Sequence, residues 1–270
     1  MAKITDQEKS IYYDKVKIYV AMTRALLDTE KKLLVEARKN TSNSPIQKLA
    51  LCDEMLNLSS YYIVINGMSQ AVLKNKNEEA LNDARKSLYK AVIYLEEVVT
   101  NLIDAPFSDY EEKLLMIESF NQDQRYNLIC KMGLAIDMLE QAYGDNSKWR
   151  WTFVDIEGRF AVTAKNIINL KNVYENMAPG AEYYDSTVYH LRLVKKLIAQ
   201  AADRYREKYE LSTGQILDFK TGINFLGALR RLHIVLSESE EANEIKKKLA
   251  IWSTKLETDH KKQEEAKKRQ

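Results

Sequence analysis

Residues 78–103 read EEALNDARKSLYKAVIYLEEVVTNLI, and this stretch decides the fold class. Leu81, Ala84, Leu88, Ala91, Leu95, Val98 and Leu102 recur at alternating spacings of three and four. That rhythm puts them on one stripe of an α-helix and does not fit the two-residue period of a strand. It predicts a helix from Glu78 to Ile103, with Pro106 ending the connection that follows.

Toward the N-terminus the same grammar repeats. Thr5-Asp6-Gln7-Glu8 has the spacing of a capping box, in which Thr5 and Glu8 satisfy each other's backbone N–H groups, so a first helix should start there and run to Lys39. Its core face reads Tyr12, Val16, Tyr19, Thr23, Leu26, Leu33 and Ala37, with a gap at Glu30; Ile18, Met22 and Ala25 widen the stripe. The segment 40–45 is a turn in which Ser44 caps a second helix and Pro45 takes its first position. This helix should reach Asn75. Met55 to Leu73 holds no charged residue across 19 positions, long enough to cross a bilayer. Asn57, Ser59, Ser60, Asn66, Ser69 and Gln70 would each be costly in hydrocarbon, so a central buried helix is expected.

Toward the C-terminus, Ser108-Asp109-Tyr110-Glu111 has capping-box spacing and should open a fourth helix that breaks near Phe120-Asn121 and ends at Gly144. Asp145-Asn146-Ser147 should cap a fifth, carrying Trp149, Phe153, Ile156, Phe160, Ile167, Leu170, Tyr174 and Met177 up to Pro179-Gly180. A sixth is expected from Tyr183 to Glu210. The seventh has the seam Phe225, Leu229, Leu232, Leu236, and Ser237-Glu238-Ser239-Glu240 should cap the eighth, with Ala242, Ile245, Leu249, Trp252 and Leu256. Short connections make sequence neighbours antiparallel neighbours. The expected fold is therefore all-α, an elongated up-and-down array of about eight long amphipathic helices over residues 1–257. A division into two lobes near 144–147 is compatible with it. Residues 258–270 should form a charged, flexible tail, because the apolar seam stops at Leu256.

Composition narrows the function. Forty-one basic against thirty-nine acidic residues leave a formal charge of +2, too little to hold a polyanion at physiological salt, so nucleic acid is not an expected partner, nor is a membrane. Cys52 and Cys130 lie in apolar helical patterns, where cysteine behaves as a small hydrophobe, which suits a reducing compartment. Met1-Ala2-Lys3-Ile4-Thr5-Asp6 offers no apolar signal region; the expectation is cytoplasmic, although an exported protein lacking its leader would read the same.

Candidate chemistry is sparse. Glu257-Thr258-Asp259-His260 matches one Glu-x-x-His unit, but di-iron helices need two such units and two more carboxylates, so no metal is expected. His190 and His233 should edge the core. The eight glycines never cluster into a phosphate loop, and no cofactor or small-molecule ligand is expected. Glu96-Glu97, Glu111-Glu112 and Glu240-Glu241 are adjacent residues whose side chains diverge around a helix and cannot share one site. No catalytic residue is assigned, and an enzyme is not expected.

Aromatic residues are the one pointer to a site. Lys148-Trp149-Arg150-Trp151 interleaves charge and indole, yet on a helix Trp149 and Trp151 point about 200° apart, so one joins the core and the other needs a second neighbour. The 16 tyrosines include the pairs Tyr12-Tyr13, Tyr61-Tyr62 and Tyr183-Tyr184, and adjacent helical positions cannot both face one core. The expected function is a non-catalytic helical scaffold or adaptor acting through protein partners, self-association included, with Trp151, Tyr183 and Tyr184 as the candidate interaction residues. The alternatives are a structural subunit of a filament or larger assembly and an enzyme or ligand binder with a pocket between helices.

Overall fold

The computed structural model describes residues 4–39, 44–144 and 149–268, with side chains to residue 265. Within these bounds the chain is all-α, with eight long helices and two short ones: α1 (Asp6–Lys39), α2 (Ser44–Leu73), α3 (Glu78–Val98), α4 (Glu111–Leu115), α5 (Gln122–Tyr143), α6 (Arg150–Asn166), α7 (Val173–Asn176), α8 (Tyr184–Lys208), α9 (Ile216–Val235) and α10 (Ser239–Lys268). The turn at 40–43, the expected cap at 145–147 and Lys148 lie outside the described residues. The chain divides into two compact units, one of Met1–Thr100 and Glu111–Arg150, the other of Asn101–Tyr110 and Trp151–Gln270.

In the first unit α2 is the central element, packed by α1, α3 and α5. The polar residues of its uncharged stretch have local tasks. Asn66 Oδ1 accepts from the Asn77 backbone N–H at 2.9 Å and Ser69 Oγ donates to the Asn75 carbonyl at 2.9 Å, which fixes the turn into α3. Asn77 then caps α3 by accepting from the Ala80 N–H. Among the described residues no helix is long and apolar enough to cross a membrane.

α1 opens as its capping box requires: the Thr5 N–H donates to Glu8 Oε2 at 2.8 Å and the Glu8 N–H to Thr5 Oγ1 at 3.2 Å. Tyr12 and Val16 pack with Ile65 and Ala80. The gap at Glu30 is a buried carboxylate, 5% exposed, which accepts from Lys90 Nζ at 2.8 and 2.9 Å and from Tyr94 Oη at 2.8 Å, both on α3. The α3 seam is buried from Leu81 to Val98, but the helix ends there and Leu102 stands 57% exposed, so the expected extension to Ile103 is corrected.

The fourth expected helix is two. A 3-10 turn at Phe107–Asp109 and short α4 lead to a corner where Arg125, buried, donates to the carbonyls of Phe120 (2.8 Å) and Ile117 (3.0 Å). Burial pushes this guanidinium down to about 10. Asn121 and Gln124 then form a capping box that starts α5. Gly144, with φ +80°, ends it, its N–H bonded to the Glu140 carbonyl.

In the second unit α9 packs between α8 and α10. α6 runs antiparallel to α8, since Ala164 meets His190 while Glu157 meets Arg204. The expected continuous helix from Trp149 to Met177 is corrected on two counts. Trp149 precedes α6 and belongs to the first unit, where the Arg85 guanidinium lies over its ring, 4.4 Å from the centroid. After Asn166 the helix stops; Asn169 Oδ1 accepts from the Lys171 N–H in a local turn, and Tyr174 and Met177 end 60% and 41% exposed. Ser237, at φ +61°, closes α9 instead of capping α10, which begins after Glu238. α10 continues past the end of its apolar seam: Asp259 accepts from Tyr209 Oη, Gln263 Nε2 donates to the Gly214 carbonyl, and the backbone is helical through Lys268.

Candidate protein-interaction face

α1 carries more apolar surface than its neighbours cover. Drawn around a helix at 100° per residue, Tyr12, Val16, Tyr19, Thr23, Leu26, Glu30 and Ala37 form one arc, and this arc is buried or half-buried. Ile11, Ile18, Met22 and Ala25 form a second arc beside it. The reading that Ile18, Met22 and Ala25 widen the core stripe is corrected: Ile18 is 60% exposed, Met22 40% and Ala25 exposed as well. The helix is wider in apolar surface than α2 and the few α3 side chains that meet it can reach, because neighbours on one side cover only part of the circumference. Lys15 and Glu36 bracket the uncovered arc and are exposed.

The residues singled out for aromatic character sit elsewhere. Trp151 is half-buried in the first turn of α6 and is engaged by neighbouring groups. Tyr183 is half-buried just before α8, and Tyr184, its first residue, is 41% exposed. The antiparallel pairing of α6 and α8 holds Trp151 and the two tyrosines at opposite ends of that pair. Tyrosine pairing divides between core and surface most clearly at Tyr12, 9% exposed, and Tyr13, 65% exposed.

Between α2 and α5 lies a cleft of about 400 Å³, lined by Ile46, Leu49, Phe120 and Leu128, with the Asp53–Lys131 ion pair at its side. In the second unit Lys165, near the end of α6, is buried against the Tyr110 ring, and burial pushes its ammonium down to about 8 despite the Asp104 carboxylate. Asp104 is held by Arg231 through two hydrogen bonds of 2.7 and 3.1 Å. Asn166 Nδ2 donates to the Leu102 carbonyl.

The titratable groups that could carry chemistry are tied into structure. His190 is fully buried with Nε2 3.0 Å from the Ala164 carbonyl, and His233 Nδ1 lies 2.7 Å from Glu238 Oε2. Burial pushes the Cys52 thiol up, out of the reactive range. Cys130, expected to be a core hydrophobe, is corrected to an exposed thiol, since α5 turns Ile129, Met132 and Ile136 inward and leaves position 130 outside. Among the described residues no group of three His, Cys, Asp or Glu side chains is placed to hold a metal ion.

No curated protein and no solved structure matches the chain. Residues 8–260 match the TP0443 family, a span that runs from the first turns of α1 to the last turns of α10, and the chain belongs to that family.

Proposed function

We propose that this chain is a non-catalytic helical interaction protein, a scaffold or adaptor that binds other protein through the outer face of α1. One observation supports the reading above the rest: Ile18 and Met22 stand in solvent on a helix already anchored by its opposite face. A contiguous apolar arc on an ordered helix is the form in which helix-mediated recognition presents itself, with anchors at helical spacing. The arc is bordered by charge, as the rim of an interface is. Tyr184 at the head of α8 is a second, separate candidate contact.

Affinity purification from the native cell, comparing the wild-type chain with Ile18→Asp, tests it. The expected result is a set of partners that Ile18→Asp loses while its helical circular dichroism and melting stay unchanged. Identical partner sets for the two proteins would end the assignment to this face. The cleft between α2 and α5 favours a second reading, a small apolar ligand, since its volume falls within the usual range for such sites. A ligand co-purifying with the chain and displaced by Leu128→Trp would support it.

A further inference from the structure

We infer that the partner seated on the outer face of α1 is an acidic helix of another protein, one that carries carboxylates at seven-residue spacing beside an apolar stripe. The inference rests on the reading of α1 as the interaction face and adds the chemistry of what covers it.

Lys17, Arg24, Lys31 and Arg38 follow one another at intervals of seven residues, and all four are exposed. Seven residues make almost two full turns, so these side chains form a row along the helix that drifts by only about 20° per step. Ile11, Ile18 and Ala25, at the same interval, form a second row one residue out of step with the first, and Met22 and Val35, 40% and 48% exposed, flank it. When two helices pack along such an apolar row, a charged row at this offset is the one whose side chains reach across to the partner. Lys15, Lys32 and Lys39 add to the positive charge, whereas the exposed carboxylates between Lys15 and Lys39 are Asp28 and Glu36; Glu30 is buried and engaged by Lys90. Asp14 stands at the N-terminal end of the face. Asp28 holds Lys31 at 3.0 Å, but both side chains are largely exposed, and such a pair yields readily to a competing acid. The face is thus apolar along its middle and basic along one edge, and its complement is an apolar stripe with an acidic edge.

A second copy of the chain does not supply that complement. Two copies of α1 packed antiparallel would set basic row against basic row. Packed parallel, each row would lie along the opposite edge of the other helix, where Lys17 meets Met22, Arg24 meets Thr29 and only Lys31 finds an acid, Glu36. A nucleic acid would neutralise the row and leave Ile18 and Met22 in water. An anionic membrane is best met by cations on both sides of the apolar arc, and here the far edge, Lys15, Met22, Thr29 and Glu36, has no net charge.

Fluorescence anisotropy of the full chain with two labelled synthetic helices tests the inference. Both peptides have four heptads with leucine along the seam; one carries glutamate at every flanking position and the other lysine. The glutamate peptide is expected to bind and the lysine peptide is not. Reversing the row, Lys17→Glu/Arg24→Glu/Lys31→Glu/Arg38→Glu, should weaken the glutamate peptide by on the order of a hundredfold and admit the lysine peptide, because four attractions become four repulsions. The conservative set Lys17→Arg/Arg24→Lys/Lys31→Arg/Arg38→Lys should bind as the wild type does. Circular dichroism checks each fold, and should the reversed row fail to fold, Lys17→Gln/Arg24→Gln carries the test with a loss of about tenfold. A glutamate peptide that does not bind, or that binds the reversed row equally well, overturns the inference. So does self-association of the wild-type chain that Ile18→Asp abolishes, or retention by phosphatidylserine vesicles that the reversed row loses. These failures are distinct from failure of the face itself: cellular partners lost by Ile18→Asp would keep α1 as the site with an occupant of other chemistry, and their retention would remove both readings.

Discussion

The two units bury their interiors by different means. The first is aliphatic: Leu51, Met55, Leu56, Leu81, Leu88 and Leu95 are almost completely buried, all on α2 and α3. The second is aromatic. Tyr205 stacks on Phe225 with centroids 5.6 Å apart, Tyr209 on Phe219 at 5.0 Å, and Trp252 leans on Phe219 at 5.6 Å. Aliphatic seams interdigitate between helices of ordinary side chains, whereas flat rings need gaps cut for them. Two glycines supply the gaps. A Cβ at Gly158 would lie 2.7 Å from Tyr205 Cε2, and one at Gly222 would lie 2.9 Å from the Ala202 carbonyl oxygen and 3.4 Å from Trp252. The first unit should therefore be sensitive to lost volume and the second to added volume.

The largest effect is expected where volume is removed from the aliphatic seam. Leu95→Ala should cost about 2–5 kcal/mol in denaturant unfolding, as large-to-small changes at sealed sites do. A change below about 0.5 kcal/mol would place the seam in a region able to collapse around the hole. Next comes the aromatic unit, where Gly222→Ala adds one methyl against a backbone oxygen that cannot swing away. Helix propensity favours the alanine, yet overpacking should prevail, for a net loss of about 1–3 kcal/mol. A stabilised Gly222→Ala protein would mean that α8 and α9 slide apart without penalty.

A third test concerns charge in the aromatic unit. Burial lowers Lys165 from 10.5 to about 8, so between those pH values the unfolded chain binds more protons than the folded one and stability rises with pH through that window. At neutral pH the buried ammonium is a cost. Lys165→Met should thus stabilise the protein near pH 7 by on the order of 2 kcal/mol, an advantage that fades toward pH 10.5. Equal melting of the two proteins at neutral pH would indicate that the ammonium finds compensation. The smallest effect belongs to α10 beyond its seam. Removing the residues after Leu256 takes away the Asp259–Tyr209 and Gln263–Gly214 hydrogen bonds, worth about 1 kcal/mol each at most.

How much of this could be read in advance depended on whether the deciding contact was local. The Thr5–Glu8 box and the α3 stripe involve residues within a turn or two of one another, and both are present. Leu88, Leu95, Phe153, Phe160, Leu229 and Trp252, each mid-seam, are all buried. Glu30 looked like an interruption because the residues that justify it, Lys90 and Tyr94, come from another helix. The break after Asn166 was hidden by Leu170, Tyr174 and Met177, which continue the helical spacing by coincidence; Asn166, Asn169 and Asn172, all turn-prone, were the signal against it. The α1 face lay beyond reach for a related reason. Periodicity reports how wide an apolar arc is, and only the packing of neighbours decides how much stays open.

The ten residues Asn101–Tyr110 belong to the second unit although the chain returns to the first after them. A ribosome therefore delivers Asp104 and Tyr110 well before Arg231 and Lys165, the groups they meet, and those early residues must wait uncommitted while α4 and α5 are made. Cutting the gene at the junction of 150 and 151 would not yield a self-sufficient C-terminal half. Such a fragment would lack the carboxylate for Arg231, the ring beside Lys165 and the carbonyl for Asn166, and a synthetic peptide of residues 101–110 should be able to complement it in trans.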